Sequence, residues 1–231
     1  MENKLQFTAC TISVRHSKCF EKLSEDEKRL LEDHSVRVEY RKGEVMSKQG
    51  AFPSHILYME EGLAKVSIDT GSSSLILKIV PEGNFVGMAS VSVDTQMNFY
   101  SATAYIDSVV RQINIDFFRK LIDSNPQFAM EVIDILASNS LQIYGRFFCL
   151  TQKQAYGRLA DIILCLAERV FKANEFDLPL TRKDLAELSG MSAETVIRML
   201  NKFAQEGLIN MDGKKFRVID YKRLNQISEK G

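Results

Sequence analysis

The chain has 231 residues, with 30 Lys and Arg balanced by 30 Asp and Glu, so net charge selects no class of partner and only the distribution of charge informs. That length allows two domains with separate cores. No apolar run is long enough to span a bilayer, residues 1–6 lack the apolar core of a signal peptide, and a cytoplasmic protein is expected.

Residues 1–22 show no clear period, although Phe7, Ile12, Val14 and Phe20 could dock on a domain body. Ser24 and Glu27 are spaced as a capping box and predict a helix from Glu25 to about Asp33. From Val36 to about Ile115 the pattern changes to short strands over 36–40, 45–46, 56–59, 63–68, 75–80, 102–106 and 109–113. Turns at Gly43, Gly50, Gly62, Gly71 and Gly83 separate several of them, the signature of a sandwich or barrel.

A short helix is expected over 116–124, ended by Asn125-Pro126, and Pro126 then suits the first turn of a long helix. In that helix Ala129, Ile133, Leu136, Ser140, Ile143, Phe147 and Leu150 alternate by four and three, the spacing of a coiled-coil seam. A second stripe of Phe128, Val132, Ile135, Tyr144 and Phe148 is assigned to the chain's own β domain. A homodimer through this helix is expected; the alternative is a helix wholly buried in a monomer. A further helix over about 152–171 carries Leu159, Ile162, Ile163, Leu166 and Val170.

Residues 181–231 hold ten Lys and Arg against seven Asp and Glu, a mildly basic end. Thr181 and Asp184 resemble a capping box, Gly190 can end that helix, and Ser192 caps the next. Val196, Met199, Leu200 and Phe203 point inward, which leaves Glu194 and Arg198 outside, one turn apart. This is helix-turn-helix spacing, with a bland reading as an ordinary α-hairpin carrying a surface Glu–Arg pair. Two short strands around Asp212-Gly213 add a hairpin wing with Lys214, Lys215 and Arg217 at or beside its tip. Asp220 caps a last helix. The expected domains are 1–125, a β-roll sensor; 126–151, a dimerisation helix; and 152–231, a winged helix-turn-helix.

In this order the chain resembles the CRP/FNR family of bacterial transcription regulators. The matching motifs are Arg41-Lys42-Gly43-Glu44, Ile56-Leu57-Tyr58 with Gly62, Pro81-Glu82-Gly83-Asn84-Phe85-Val86-Gly87, Tyr156-Gly157-Arg158-Leu159-Ala160 and the stretch from Leu180 to Arg198. The resemblance implies an α+β fold with an N-terminal double-stranded β-helix (a jelly-roll like that of cyclic-nucleotide-binding domains). It implies a homodimer that reads an inverted repeat of TGA-like half-sites through Glu194 and Arg198, with RNA polymerase as a further partner. The DNA-facing set is Thr181, Arg182, Ser192, Ala193, Glu194, Thr195, Ile197, Arg198, Lys202, Lys214, Lys215 and Arg217. Ala193 stands where the cyclic-AMP branch carries Arg, and Ile197 where the FNR branch carries Ser, so the half-site is expected to differ from both.

The effector differs too. Met88 after Gly87, and Tyr100 before Ser101, stand where cyclic-AMP binders carry Glu and Arg, while Ile143 and Tyr144 replace adenine-contacting Thr and Ser. Without the cation a buried phosphate would be poorly solvated, so cyclic AMP is not expected. An iron–sulfur cluster is not expected either, because Cys10, Cys19, Cys149 and Cys165 are widely spaced without a CxxC pair. The same spacing argues against structural zinc and leaves four free thiols as the default. The remaining pocket of Gly87, Met88, Met97, Tyr100, Ser101, Ile143, Tyr144 and Phe147 suits an apolar or planar ligand. Haem is one option, with His16, His34, His55, Cys10, Cys19, Met88 or Met97 as axial ligands; a regulator without an effector is another. A ligand-sensing module acting through protein contacts is a further alternative. No nucleophile elbow, phosphate-cradling Gly loop or HExxH occurs, so an enzyme is not expected.

Overall fold

A computed structural model describes residues 17–71 and 74–231. It divides into two compact units, and the division falls inside the long helix, between Leu141 and Gln142.

The first unit opens with a 3₁₀ segment, Ser17–Lys22, and helix α1 (Glu25–Asp33). Ser24 accepts from the Glu27 amide while the Glu27 carboxylate takes the Ser24 N–H, which closes the expected capping box. Eight strands follow: β1 (Ser35–Tyr40), β2 (Val45–Ser47), β3 (His55–Glu61), β4 (Leu63–Asp69), β5 (Ser74–Pro81), β6 (Phe85–Val86), β7 (Ser101–Ala104) and β8 (Ser108–Asn114). They form two antiparallel sheets, ordered β1-β8-β3-β6 and β2-β7-β4-β5. Their inner faces share a core of Met46, Leu57, Met59, Ala64, Val66, Val80, Val86, Ala102, Ala104 and Val110. Gly62 permits the tight β3–β4 corner, since its φ is 101° and a Cβ there would meet Ser108 Oγ at 2.2 Å.

Helix α2 (Ile115–Ser124) and α3 (Pro126–Gln152) as far as Leu141 complete this unit. Phe118, Phe128, Val132 and Ile135 are buried with Ile56, Phe85 and Ile113 in a second core. Phe118 meets Phe128 edge-on at 5.3 Å. The stripe assigned to the β domain is therefore used only in its first three residues: Phe128, Val132 and Ile135 are buried, whereas Tyr144 and Phe148 are exposed. Those two lie past Leu141, in the part of α3 that belongs to the second unit.

The second unit holds the end of α3, then α4 (Ala155–Cys165), β9 (Glu175–Asp177), α5 (Arg182–Ser189), α6 (Ala193–Gln205), β10 (Ile209–Asp212), β11 (Lys215–Val218) and α7 (Tyr221–Lys230). The single helix expected over 152–171 ends as an α-helix at Cys165 and continues as a π-helical turn, Leu166–Phe171. The wing is a three-stranded sheet in the order β10-β11-β9, one strand more than expected. A largely buried polar cluster ties α4 and α7 to the segment that follows α3. Lys153 Nζ lies 3.1 Å from Asp161 Oδ2 and 3.3 Å from Ser228 Oγ, and Ser228 donates to Asp161 Oδ1 at 3.1 Å. Cys165 is disulfide-bonded, against the expectation of a free thiol, while Cys19 and Cys149 are thiols. Cys10, His16, Phe7, Ile12 and Val14 lie outside the described residues.

Candidate nucleic-acid interface

Helices α5 and α6 are set by local chemistry at both ends. Thr181 accepts from the Asp184 amide at 3.1 Å, and Asp184 takes the Thr181 N–H at 2.8 Å. Gly190 ends α5 with a φ of 63°, and a Cβ there would press to 3.2 Å on Leu150 Cδ2. Ser192 accepts from the Thr195 amide at 3.2 Å and starts α6. From α4, Arg158 donates to the carbonyls of Ser189 (2.9 Å) and Lys153 (2.8 Å) and holds the turn from behind. Val196, Met199, Leu200 and Phe203 are buried, so the inner face of α6 fixes its rotation.

The opposite face is open. Glu194, Ile197, Arg198, Asn201, Lys202 and Gln205 line one shallow groove of about 550 Å³. These positions recur every three or four residues and so form one stripe. Glu194 is ionised, with its pKa lowered by its own backbone amide and the Ser192 hydroxyl. Arg198 stands one turn further on. Such a stripe offers a fork of N–H donors beside an acceptor, the pairing that distinguishes guanine and cytosine edges. Asn201 and Gln205 were missed in the sequence reading, although their spacing from Glu194 and Arg198 placed them on the same face. An amide can pair with both polar edge atoms of adenine.

The other residues of the expected DNA-facing set divide. Thr181 and Ser192 are caps, Ala193 and Thr195 lie in the first turn of α6, and Lys214 and Lys215 are exposed at the wing turn. Arg182 is half-buried with its guanidinium 3.3 Å from Met211 Sδ, and burial lowers its pKa. Arg217 of β11 donates at 2.6 Å to Glu175, which lies on the unforeseen strand β9. Lys202 sits 4.9 Å above the Tyr156 ring.

Of the seam on α3, Ile133 (53 %), Leu136 (36 %), Ile143 (65 %) and Phe147 (69 %) are exposed apolar side chains. Ser140 is exposed and bonds back to the Leu136 carbonyl at 3.0 Å. Leu150 departs from the row, because it is half-buried and packs on the Gly190 turn of its own chain.

Of the expected effector residues in the first unit, Gly87 and Met88 are buried, Met97 is exposed, and Ser101 accepts from the Gln49 amide at 3.0 Å. Tyr100 is half-buried against the inner core, and its phenol contacts the Gly87 backbone. Ile143, Tyr144 and Phe147 belong to the second unit and are exposed. Of the candidate axial ligands, His34, His55, Cys19, Met88 and Met97 lie among the described residues. His34 is exposed and stacks on Phe117 at 4.5 Å, His55 contacts Ser54 at 2.8 Å, and burial pushes the Cys19 thiol up to about 12. Among the described residues no group of three or more His, Cys, Asp or Glu is placed to hold a metal. No described helix is long and apolar enough to cross a membrane.

Comparison with known proteins brings both units into view. The cyclic nucleotide-binding domain family matches residues 37–125, and the Crp-like helix-turn-helix domain family matches residues 157–227. The chain is 28% identical over 185 residues to the transcriptional activator protein FnrA of Stutzerimonas stutzeri, covering 78% of this chain and 75% of that protein. It is 26% identical over 193 residues to electron transport regulator A of Shewanella oneidensis, covering 81% and 76%. The fold matches that of FixK2 from Bradyrhizobium japonicum with a TM-score of 0.76 at 20% identity, over 84% of this chain and 96% of that one.

Proposed function

The chain belongs to the CRP/FNR family of DNA-binding transcription regulators, and from that premise we propose that it is a homodimer reading an inverted repeat of TGA-like half-sites. Glu194 and Arg198 are the specificity residues, and a ligand in the β-roll sets the activity. The observation that carries this reading is the outer face of α6, polar along five of its six groove positions on a helix capped at its start and locked from behind. Major-groove readers present such a helix by its first turns. The exposed apolar row of Ile133, Leu136, Ile143 and Phe147 supports pairing through α3, which would give the two recognition helices two-fold symmetry.

Lys214 and Lys215 carry the phosphate contacts of the wing, since Arg182 and Arg217 already have partners within the chain. Asn201 joins the readout on the same stripe. RNA polymerase is the partner through which such a regulator acts, in the cytoplasm. The test is a gel-shift competition between inverted-repeat and scrambled duplexes. Arg198→Ala is expected to lose ~1–3 kcal/mol of discrimination per half-site while keeping salt-dependent non-specific binding. Undiminished sequence preference in that variant would remove Arg198 from the readout.

A further inference from the structure

Strand β5 does not pair evenly with β4. Ser67 faces Ile76 but Val66 faces Lys78, so Leu77 is an extra residue in β5. A bulge of this kind shifts every later side chain by one position. Even pairing would have set Lys78 opposite Lys65. The bulge sets it opposite Val66, a residue of the inner core, and in line with Val80 two residues on. Val66 in turn pairs with Ala102 of β7. Lys78 thus projects into the β-roll, in a row that continues through Val66 and Ala102 to Ser47 of β2.

The ammonium is deep. Burial draws its pKa down from 10.5 to about 8, and among the described residues nothing is paired with it. By exposed area the residue as a whole is half-buried. On the same inner face, Tyr100 lies two residues before Ala102 and packs on the same core, with its hydroxyl at the Gly87 backbone. A lone cation, a phenol and a backbone amide in an otherwise apolar roll make a site with few polar groups and much apolar lining.

We propose that Lys78 is the anion-binding residue of the β-roll, and that the effector is a small molecule joining one anionic group to an apolar body. The proposal rests on the reading that the roll holds an effector, and it deepens that reading by naming the ligand class. An unpaired ammonium in this setting is costly, and a ligand anion would supply its missing partner. Lys78 thereby provides, from another strand, the positive charge that Tyr100 does not.

The experiment is a fluorescence titration of the full-length protein with 1-anilinonaphthalene-8-sulfonate, which combines a sulfonate with an apolar body. The neutral N-phenyl-1-naphthylamine serves as the control. Wild type is expected to show one saturable sulfonate site per chain, weakened at least about tenfold by Lys78→Met or Lys78→Gln and retained by Lys78→Arg. The neutral dye should not distinguish the four proteins. Displacement by benzoate or by cyclic AMP, but not by benzyl alcohol, supports the site and separates a carboxylate from a phosphate source. A wild type without a saturable site, neutral variants that bind the sulfonate as tightly as wild type, or displacement by benzyl alcohol as readily as by benzoate overturns the proposal. A gel shift on the same preparations keeps the two readings apart, because failure of DNA binding defeats the regulator while the dye result still judges Lys78.

Discussion

Helices α3 and α6 each leave a face in water, and the two faces are opposites. On α3 the open row is apolar, with Ile133, Leu136, Ile143 and Phe147 exposed. On α6 the open row is Glu194, Ile197, Arg198, Asn201, Lys202 and Gln205, five polar groups around one isoleucine. Exposure alone says only that each face lacks a cover within the chain; side-chain chemistry says what would cover it. An apolar row gains by burying area against another apolar row. A row of donors and acceptors gains only from a surface that returns its hydrogen bonds. The first description fits a second copy of the chain, and the second fits the edges of base pairs.

The strongest way to break this comparison is to make the α3 row polar. Ile143→Asp combined with Phe147→Asp removes two apolar side chains worth ~1.5–3 kcal/mol each when buried. Dimer dissociation, measured by sedimentation equilibrium, should then rise at least about 100-fold. A double variant that dimerises as wild type would move the interface elsewhere. The next effect tests what holds the polar row in place. Asp161→Ala leaves Lys153 buried without its carboxylate, and urea melts should show a loss of ~3–5 kcal/mol. Unchanged stability would mean that the Lys153 ammonium reaches water.

A smaller effect separates positioning from reading. Lys214→Ala with Lys215→Ala should weaken binding to all duplexes alike and reduce the slope of log affinity against log salt by about 2. A selective loss for the inverted repeat would instead give the wing a role in specificity. The gentlest probe is pH. Lys78 has a folded pKa of about 8, below its ordinary 10.5. The cost of holding its charge is therefore fully present below pH 8. Between about 8 and 10.5 the folded state sheds a proton that the unfolded state keeps, so stability rises with pH. Lys78→Met should melt higher than wild type at pH 7 and lose that rise; equal melting at pH 7 would mean that the ammonium is well solvated.

Much of the recognition unit was legible because its signals are local. Thr181 with Asp184, Gly190, and Ser192 lie within a few residues of the groups they satisfy, and each took the expected role. The buried and open sides of α6 followed from a period of 3.6. Leu150 kept the spacing of the α3 seam but packs on Gly190, a contact that spacing does not record. Arg182 at the start of α5 and Arg217 beside the hairpin tip were both expected to face phosphate. Arg217 is taken up by Glu175, 42 residues earlier, on a strand of three residues too short to announce itself.

By itself, then, the sequence determined most of the longer elements, the caps of α1, α5 and α6, and the apolar side of α6, because those depend on neighbours within a turn or two. It also carried the family. Only the tertiary structure decided the face of Lys78. Simple alternation along β5 would put that lysine outside, and a single bulged residue opposite Val66 turns it in. Register between strands is a property of two segments at once, so a one-residue slip that reverses inside and outside leaves no mark on either strand read alone.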